Sequence, residues 1–181
     1  MKYIDEFRDK EIVKGLVRDI AAASAGKINI MEVCGTHTMA IFRSGIKQIL
    51  PPAVNLISGP GCPVCVTSQE DIDRMLCLAR TKNVIIASFG DMLKVPGTES
   101  SLEQERARGA DIRPVYSPLD ALTIAQNNPA KTIIFLAVGF ETTIPAIASA
   151  VNDAKTRKLG NFSIYCCNKT IPPAMRALLQ A

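Results

Sequence analysis

Cys62 and Cys65 stand three positions apart in LISGPGCPVCVTSQED (56–71), between an apolar run and an acidic helix start. A Cys-Pro-Val-Cys turn leading into a capped helix suits thiolate chemistry. The helix N-terminus presents unpaired N–H donors and partial positive charge, and both lower a thiol pKa. Pro63 stiffens the turn and keeps the sulfurs at a spacing where a disulfide closes and reopens. The same spacing is half of a zinc knuckle. It also fits two small residues packed in a tight turn. Dithiol and metal together outweigh the packed pair, and the choice between those two is open on spacing alone.

Cys34 and His37 form a C-x-x-H pair in CGTHT (34–38), and His37 is the only histidine in the chain. A lone cysteine or histidine is more often packed, but both sit in a Gly/Thr-rich turn rather than on an apolar face, which brings a functional role level with packing. Thr36 and Thr38 can donate hydrogen bonds to an anion, and Thr38 is expected to cap the helix over MAIFRSGIKQIL. Cys34, His37, Cys62 and Cys65 would make a Cys3His zinc set, although from turns after two strands rather than a compact knuckle. In GFETT (139–143) Glu141 can act as acid or base, with Thr142 and Thr143 as hydroxyl donors. The competing reading has Thr143 as a helix N-cap and Glu141 solvated. Cys77 lies beside the apolar face of a helical segment and reads as packing. Cys166 and Cys167, adjacent in a strand, point to opposite faces, and one at least should be buried. GPGCPVC lacks the third glycine of a dinucleotide fingerprint.

The elements that must carry these turns alternate. Strands are expected at 27–33, 53–58, 83–88, 111–116, 132–138 and 162–167, mostly as continuous apolar runs of the kind covered on both faces. Helices are expected at 5–25, 67–82, 117–128 and 143–158. The second places Ile72, Met75, Leu76 and Ala79 on one face, with Thr67 and Glu70 as a capping box. The third opens on Ser117 with Pro118 at its first position. Residues 91–110 should be a loop with a short helix. The pattern predicts an α/β fold with mainly parallel sheets flanked by helices. The clusters at 34–38, 59–65, 90–91 and 139–143 all follow strands, where open parallel sheets gather ligands. The turn-rich 126–131 suggests a first domain over 1–130 and the start of a second over 131–181. Two strands bury too little to stand alone, so either the sheet continues across that point or the chain belongs to something longer.

Composition narrows the classes. Of 181 residues, 48 % are apolar and 21 % charged, as in globular proteins rather than disordered ones. The net charge of +4 is scattered and Trp is absent, so nucleic-acid binding has little support. No apolar run is long enough to span a membrane. The N-terminal MKYIDEFRDKEIVKGL lacks the apolar core of a signal peptide, so the expected compartment is the cytoplasm, where thiols stay reduced unless they do chemistry.

EVCGTHT, GPGCPVCVT, SFGDMLKVPG, VYSPLDAL and GFETT occur in the order of the HypD family of nickel–iron hydrogenase maturation factors, which the chain resembles along essentially its whole length. The resemblance implies a thiol-redox scaffold of two similar α/β domains facing a cleft. On it, iron acquires cyanide and carbon monoxide ligands, as Fe(CN)2CO, before insertion into the hydrogenase. It implies a HypC-type small chaperone and a HypE-type cyanide donor as partners. Carried over, Cys34 would hold the iron and Cys62 and Cys65 would be the exchangeable dithiol. His37, Thr36 and Glu141 would line the cleft. Family members are about twice as long and carry a four-iron four-sulfur cluster on further cysteines. Beyond residue 77 this chain has only Cys166 and Cys167, so it resembles an N-terminal portion. The alternatives are a zinc-stapled interaction domain and a general thiol-disulfide oxidoreductase.

Overall fold

The structure, a computed structural model, describes residues 9–59 and 61–180. Contacts divide the chain into two compact units, Met1–Cys62 and Pro63–Ala181. The division falls inside the CPVC turn, so each of its cysteines belongs with a different unit.

The first unit opens with α1 (Lys10–Ala23), whose Asp9 side chain accepts the N–H groups of Glu11 and Ile12 at 2.8 and 3.2 Å. The helix expected over 5–25 is thus present from residue 10, and its positions 5–8 lie outside the described residues. Then come β1 (Ile28–Glu32), α2 (Gly35–Ser44), α3 (Ile46–Ile49) and β2 (Val54–Ser58). The two strands pair in parallel, Ile28 opposite Val54 through Glu32 opposite Ser58. Gly45, at φ +65°, splits the single helix expected after CGTHT into α2 and α3, in a conformation glycine adopts without a Cβ penalty. The expected Thr38 cap is corrected as well. Cys34 is extended and takes the cap position, so α2 starts at Gly35 and Thr38 falls within its first turn.

The second unit runs α4 (Gln69–Ala79), β3 (Val84–Ser88), a 3-10 turn (Met92–Lys94), α5 (Leu102–Ala107), β4 (Ile112–Pro114), α6 (Pro118–Asn127), β5 (Thr132–Ala137), α7 (Ile144–Thr156), β6 (Phe162–Cys166) and α8 (Ile171–Gln180). Its four strands are parallel in the order β4-β3-β5-β6. The fold class is therefore α/β, with parallel sheets flanked by helices. On one face of this sheet Ile86, Leu136 and Val138 pack with Met75 and Leu76 of α4 and Leu102 of α5. On the other, Ile85, Ile133 and Phe135 pack with Ala121, Ala125 and Ile147. Phe135 is fully buried, a contribution of about 1.5–3 kcal/mol, and meets Phe89 edge to face.

Ile72, Met75, Leu76 and Ala79 are all buried, as their spacing predicts. The cap of α4 is Ser68 rather than Thr67: Ser68 Oγ accepts the Asp71 N–H, while the buried Thr67 hydroxyl donates back to the Pro63 carbonyl. Ser117 and Asp120 close a capping box on α6 with Pro118 in its first turn. At 126–131 the sheet continues. β5 pairs with β3, Val84 opposite Thr132, so the hexamer leads from α6 into a further strand of the same sheet, while contacts place the compact division at 62/63. The Asn161 side-chain amide, donating to the carbonyls of Ala125, Asn128 and Lys131, pins that turn.

Candidate functional site

In the first unit the turn after β1 and the turn after β2 are pressed together. The Gly35 N–H donates to the Gly61 carbonyl at 3.0 Å. A Cβ on Gly61 would stand 2.5 Å from the Cys34 nitrogen and 2.7 Å from the Val33 carbonyl carbon. On Gly59 it would meet Met31 and the Glu32 carbonyl oxygen at 2.8–2.9 Å. Gly61 is thus demanded by backbone-on-backbone approach, and Gly59 by the Met31 side chain and the Glu32 carbonyl. The same apposition brings Cys62 to the head of α2, where a Cβ on Gly35 would lie 3.7 Å from that of Cys62.

Cys34 is half-buried at the N-terminus of α2. Its sulfur closes no cap hydrogen bond of ordinary geometry. The neighbouring polar groups nevertheless hold its pKa below the usual thiol value: the His37 N–H first, then the N–H and hydroxyl of Thr36. Burial and the Glu32 charge oppose them and do not win. A helix N-terminus favours thiolate over thiol for this reason.

Glu32, the last residue of β1, was not singled out from the sequence. Its carboxylate accepts the Thr38 hydroxyl at 2.5 Å and the Cys34 N–H at 3.2 Å. Those bonds, the Thr38 hydroxyl foremost, keep it below the ordinary carboxylate pKa. It ties strand end, cysteine and first helical turn into one piece. The only available signal was a lone acid inside the apolar run INIMEV. Thr36 and His37 are exposed on the same turn.

Cys65 lies in the second unit, exposed, ahead of α4. Asp71, in the first turn of α4, accepts hydrogen bonds from the Ser68 hydroxyl at 2.7 Å and the Tyr165 hydroxyl at 3.0 Å, which lower its pKa in that order. Tyr165 and the buried Cys167 belong to the apolar cluster that Val64 also packs against. Burial pushes the Cys167 thiol up to about 11. Cys166 is exposed and Cys77 is exposed rather than packed.

Glu141 and its threonines follow β5. Glu141 is half-buried and its carboxylate accepts the Ile171 N–H at 2.9 Å, at the start of α8. Thr143 takes the N-cap position of α7, but its hydroxyl donates to the Phe140 carbonyl instead of capping; Thr142 is exposed. Asn168 and Lys169 both donate to the Gly139 carbonyl. Among the described residues, no group of three or more His, Cys, Asp or Glu is placed to hold a metal ion. The zinc set of Cys34, His37, Cys62 and Cys65 is therefore not preassembled. Cys166 and Cys167, consecutive in the chain with one exposed and the other buried, do not fit a four-iron four-sulfur cluster.

Residues 11–181 match the profile of the family described as HypD, hydrogenase formation hypA family. The chain is 46 % identical over 186 residues to the hydrogenase maturation factor HypD of Rhodobacter capsulatus, covering 99 % of this chain and 49 % of that protein. Against the hydrogenase maturation factor HypD of Escherichia coli (strain K12), identity is 44 % over 187 residues, 99 % of this chain and 50 % of the other. For the hydrogenase expression/formation protein HupD of Azotobacter chroococcum mcd 1, it is 47 % over 182 residues, 99 % and 48 %. The chain spans about half the length of these curated relatives.

Proposed function

The chain belongs to the HypD family, and on that premise we propose that it helps assemble the Fe(CN)2CO group of nickel–iron hydrogenases. The iron is cargo. Cys34 holds it as thiolate, with a further thiolate from a HypC-type chaperone, and a HypE-type partner supplies cyanide. Cys62 and Cys65 form the exchangeable dithiol, taking up two electrons and two protons on reduction. Thr36, His37, Glu141, Thr142 and Thr143 supply hydrogen bonds and protons around the cargo.

The observation that carries this reading is the thiol of Cys34, held toward thiolate at a helix head beside Cys62. Low-spin iron with cyanide and carbonyl ligands is a soft centre, and thiolate suits it better than carboxylate.

Infrared spectroscopy of the protein co-purified with its HypC-type partner tests the proposal. Cyanide and carbonyl stretching bands are expected, and Cys34→Ala should abolish them while far-UV circular dichroism stays unchanged. Undiminished bands in that variant would remove Cys34 from the role. Stoichiometric zinc without such bands would instead support the staple.

A further inference from the structure

Glu32 keeps a full negative charge beside the thiol assigned to the iron. Its Oε2 accepts the Cys34 N–H at 3.2 Å and its Oε1 accepts the Thr38 hydroxyl at 2.5 Å. Ser58, its partner across the β1–β2 ladder, adds a further hydrogen bond. These bonds fix the carboxylate. By covalent span from the Cys34 nitrogen, Oε2 lies within about 7 Å of the Cys34 sulfur.

The hydrogen bonds do not explain the charge. A glutamine here could accept the Cys34 N–H through its oxygen and donate to the Thr38 hydroxyl through its nitrogen. That neutral side chain would tie the strand end to the first helical turn equally well. The carboxylate instead works against the thiolate form of Cys34, which the His37 and Thr36 donors have to outweigh. Nearby cations do not cancel it. Lys47 lines the same small cavity and His37 is exposed on the turn, yet neither is paired with Glu32 in a salt bridge.

What Cys34 holds, on the reading proposed above, changes charge in place. Counted as ions, ferrous iron brings two positive charges, two cyanides cancel both, and carbon monoxide is neutral. At about 8 Å with the screening of water, one unit charge shifts a binding equilibrium about twofold, and two shift it about fivefold.

We propose that Glu32 is the charge-selecting residue of this site. Its carboxylate draws ferrous ion to Cys34 and loses its hold as cyanide neutralises the ion, so the finished group leaves more readily than the bare ion. The inference rests on the iron reading of Cys34 and deepens it. Glu32 acts through its field alone and makes or breaks no bond to the cargo.

Glu32→Gln removes the charge and keeps the hydrogen-bonding groups. Two methanethiosulfonates, one bearing a trimethylammonium and one a sulfonate, differ by two charges, as ferrous ion differs from the neutralised group. Each forms a mixed disulfide with a cysteine thiolate and expels methanesulfinate, and peptide mapping separates Cys34 from the other thiols. At about 10 mM ionic strength the Debye length of about 30 Å leaves the field unscreened. The cation-to-anion rate ratio at Cys34 should then fall about fivefold in the variant, while the ratio at the exposed Cys166 stays unchanged. With the HypC-type partner present, the ferrous ion concentration that half-saturates the cyanide and carbonyl bands should rise about fivefold. An unchanged ratio at Cys34, or an unchanged half-saturating concentration, would overturn the proposal. A parent protein that shows the ratio but no bands at any iron concentration would instead remove the iron reading on which the inference rests. Should Glu32→Gln not fold, salt decides. In the parent the ratio should approach one at about 1 M, where the Debye length is about 3 Å, and a ratio indifferent to salt would sink the proposal.

Discussion

Gly61→Ala puts the apposed turns under direct strain. The new Cβ would sit 2.5 Å from the Cys34 nitrogen, where ordinary contact begins at 3.4 Å, so the turns must part by about 0.9 Å. The opposing atoms are backbone, and no flexible side chain can yield in their place. Overpacking of this kind costs about 1–3 kcal/mol. Parting also weakens the Gly35–Gly61 hydrogen bond, net about 1 kcal/mol. The first unit should therefore lose about 2–4 kcal/mol. Gly90→Ala, with nothing within 4 Å, is the control and should change stability by no more than about 0.5 kcal/mol. Urea unfolding reads the stability. Site-resolved iodoacetamide labelling against pH reads Cys34, whose midpoint should move up toward the ordinary thiol range as its place at the helix head is disturbed. An alanine variant matching the parent in both measurements would refute the reasoning.

Further outcomes follow from the second unit. Glu105 is held at about 2 by hydrogen bonds from Arg80 and Ser100 and by the charges of Arg80 and Arg108. With its folded pKa depressed, its stabilisation is present above about 4.5 and lost as pH falls toward 2; Glu105→Gln should flatten that part of an acid titration followed by circular dichroism. Cys167, raised to about 11 by burial, should resist iodoacetamide at about pH 8 until urea unfolds the chain, and labelling in the native state would contradict its burial. Tyr165→Phe removes the donor to Asp71 and should lower stability by about 1 kcal/mol, with faster exchange at the first turn of α4.

β3 and β5 were legible because parallel strands buried on both faces leave continuous β-branched runs; β1 and β2 show similar apolar runs although none of their residues is buried. The apolar face of α4 and the Ser117 cap were legible for equally local reasons. What escaped is non-local or degenerate. Thr67 and Ser68 are chemically equivalent caps, and only the pull of the Pro63 carbonyl on Thr67 decides between them. Thr38 reads as a cap until Cys34 is seen to occupy that place and Glu32 to claim the Thr38 hydroxyl. The glycines of GPGC resemble a nucleotide loop in sequence, whereas the group they approach is another turn about 25 residues earlier in the chain. Nothing local distinguishes the hexamer 126–131, which leads from α6 into β5 of the same sheet, from a domain boundary. The division at 62/63 depends on which contacts form across the whole chain.

The GFETT carboxylate is already spoken for. Glu141 tethers the first amide of α8 through Oε1, so a proton or ligand taken up at that oxygen would compete with the tether. A change at this turn that took up that oxygen would free the first amide of α8, the helix whose Leu178 and Leu179 stand exposed. The GFETT turn is thereby fastened to the head of a helix that starts thirty residues further along the chain.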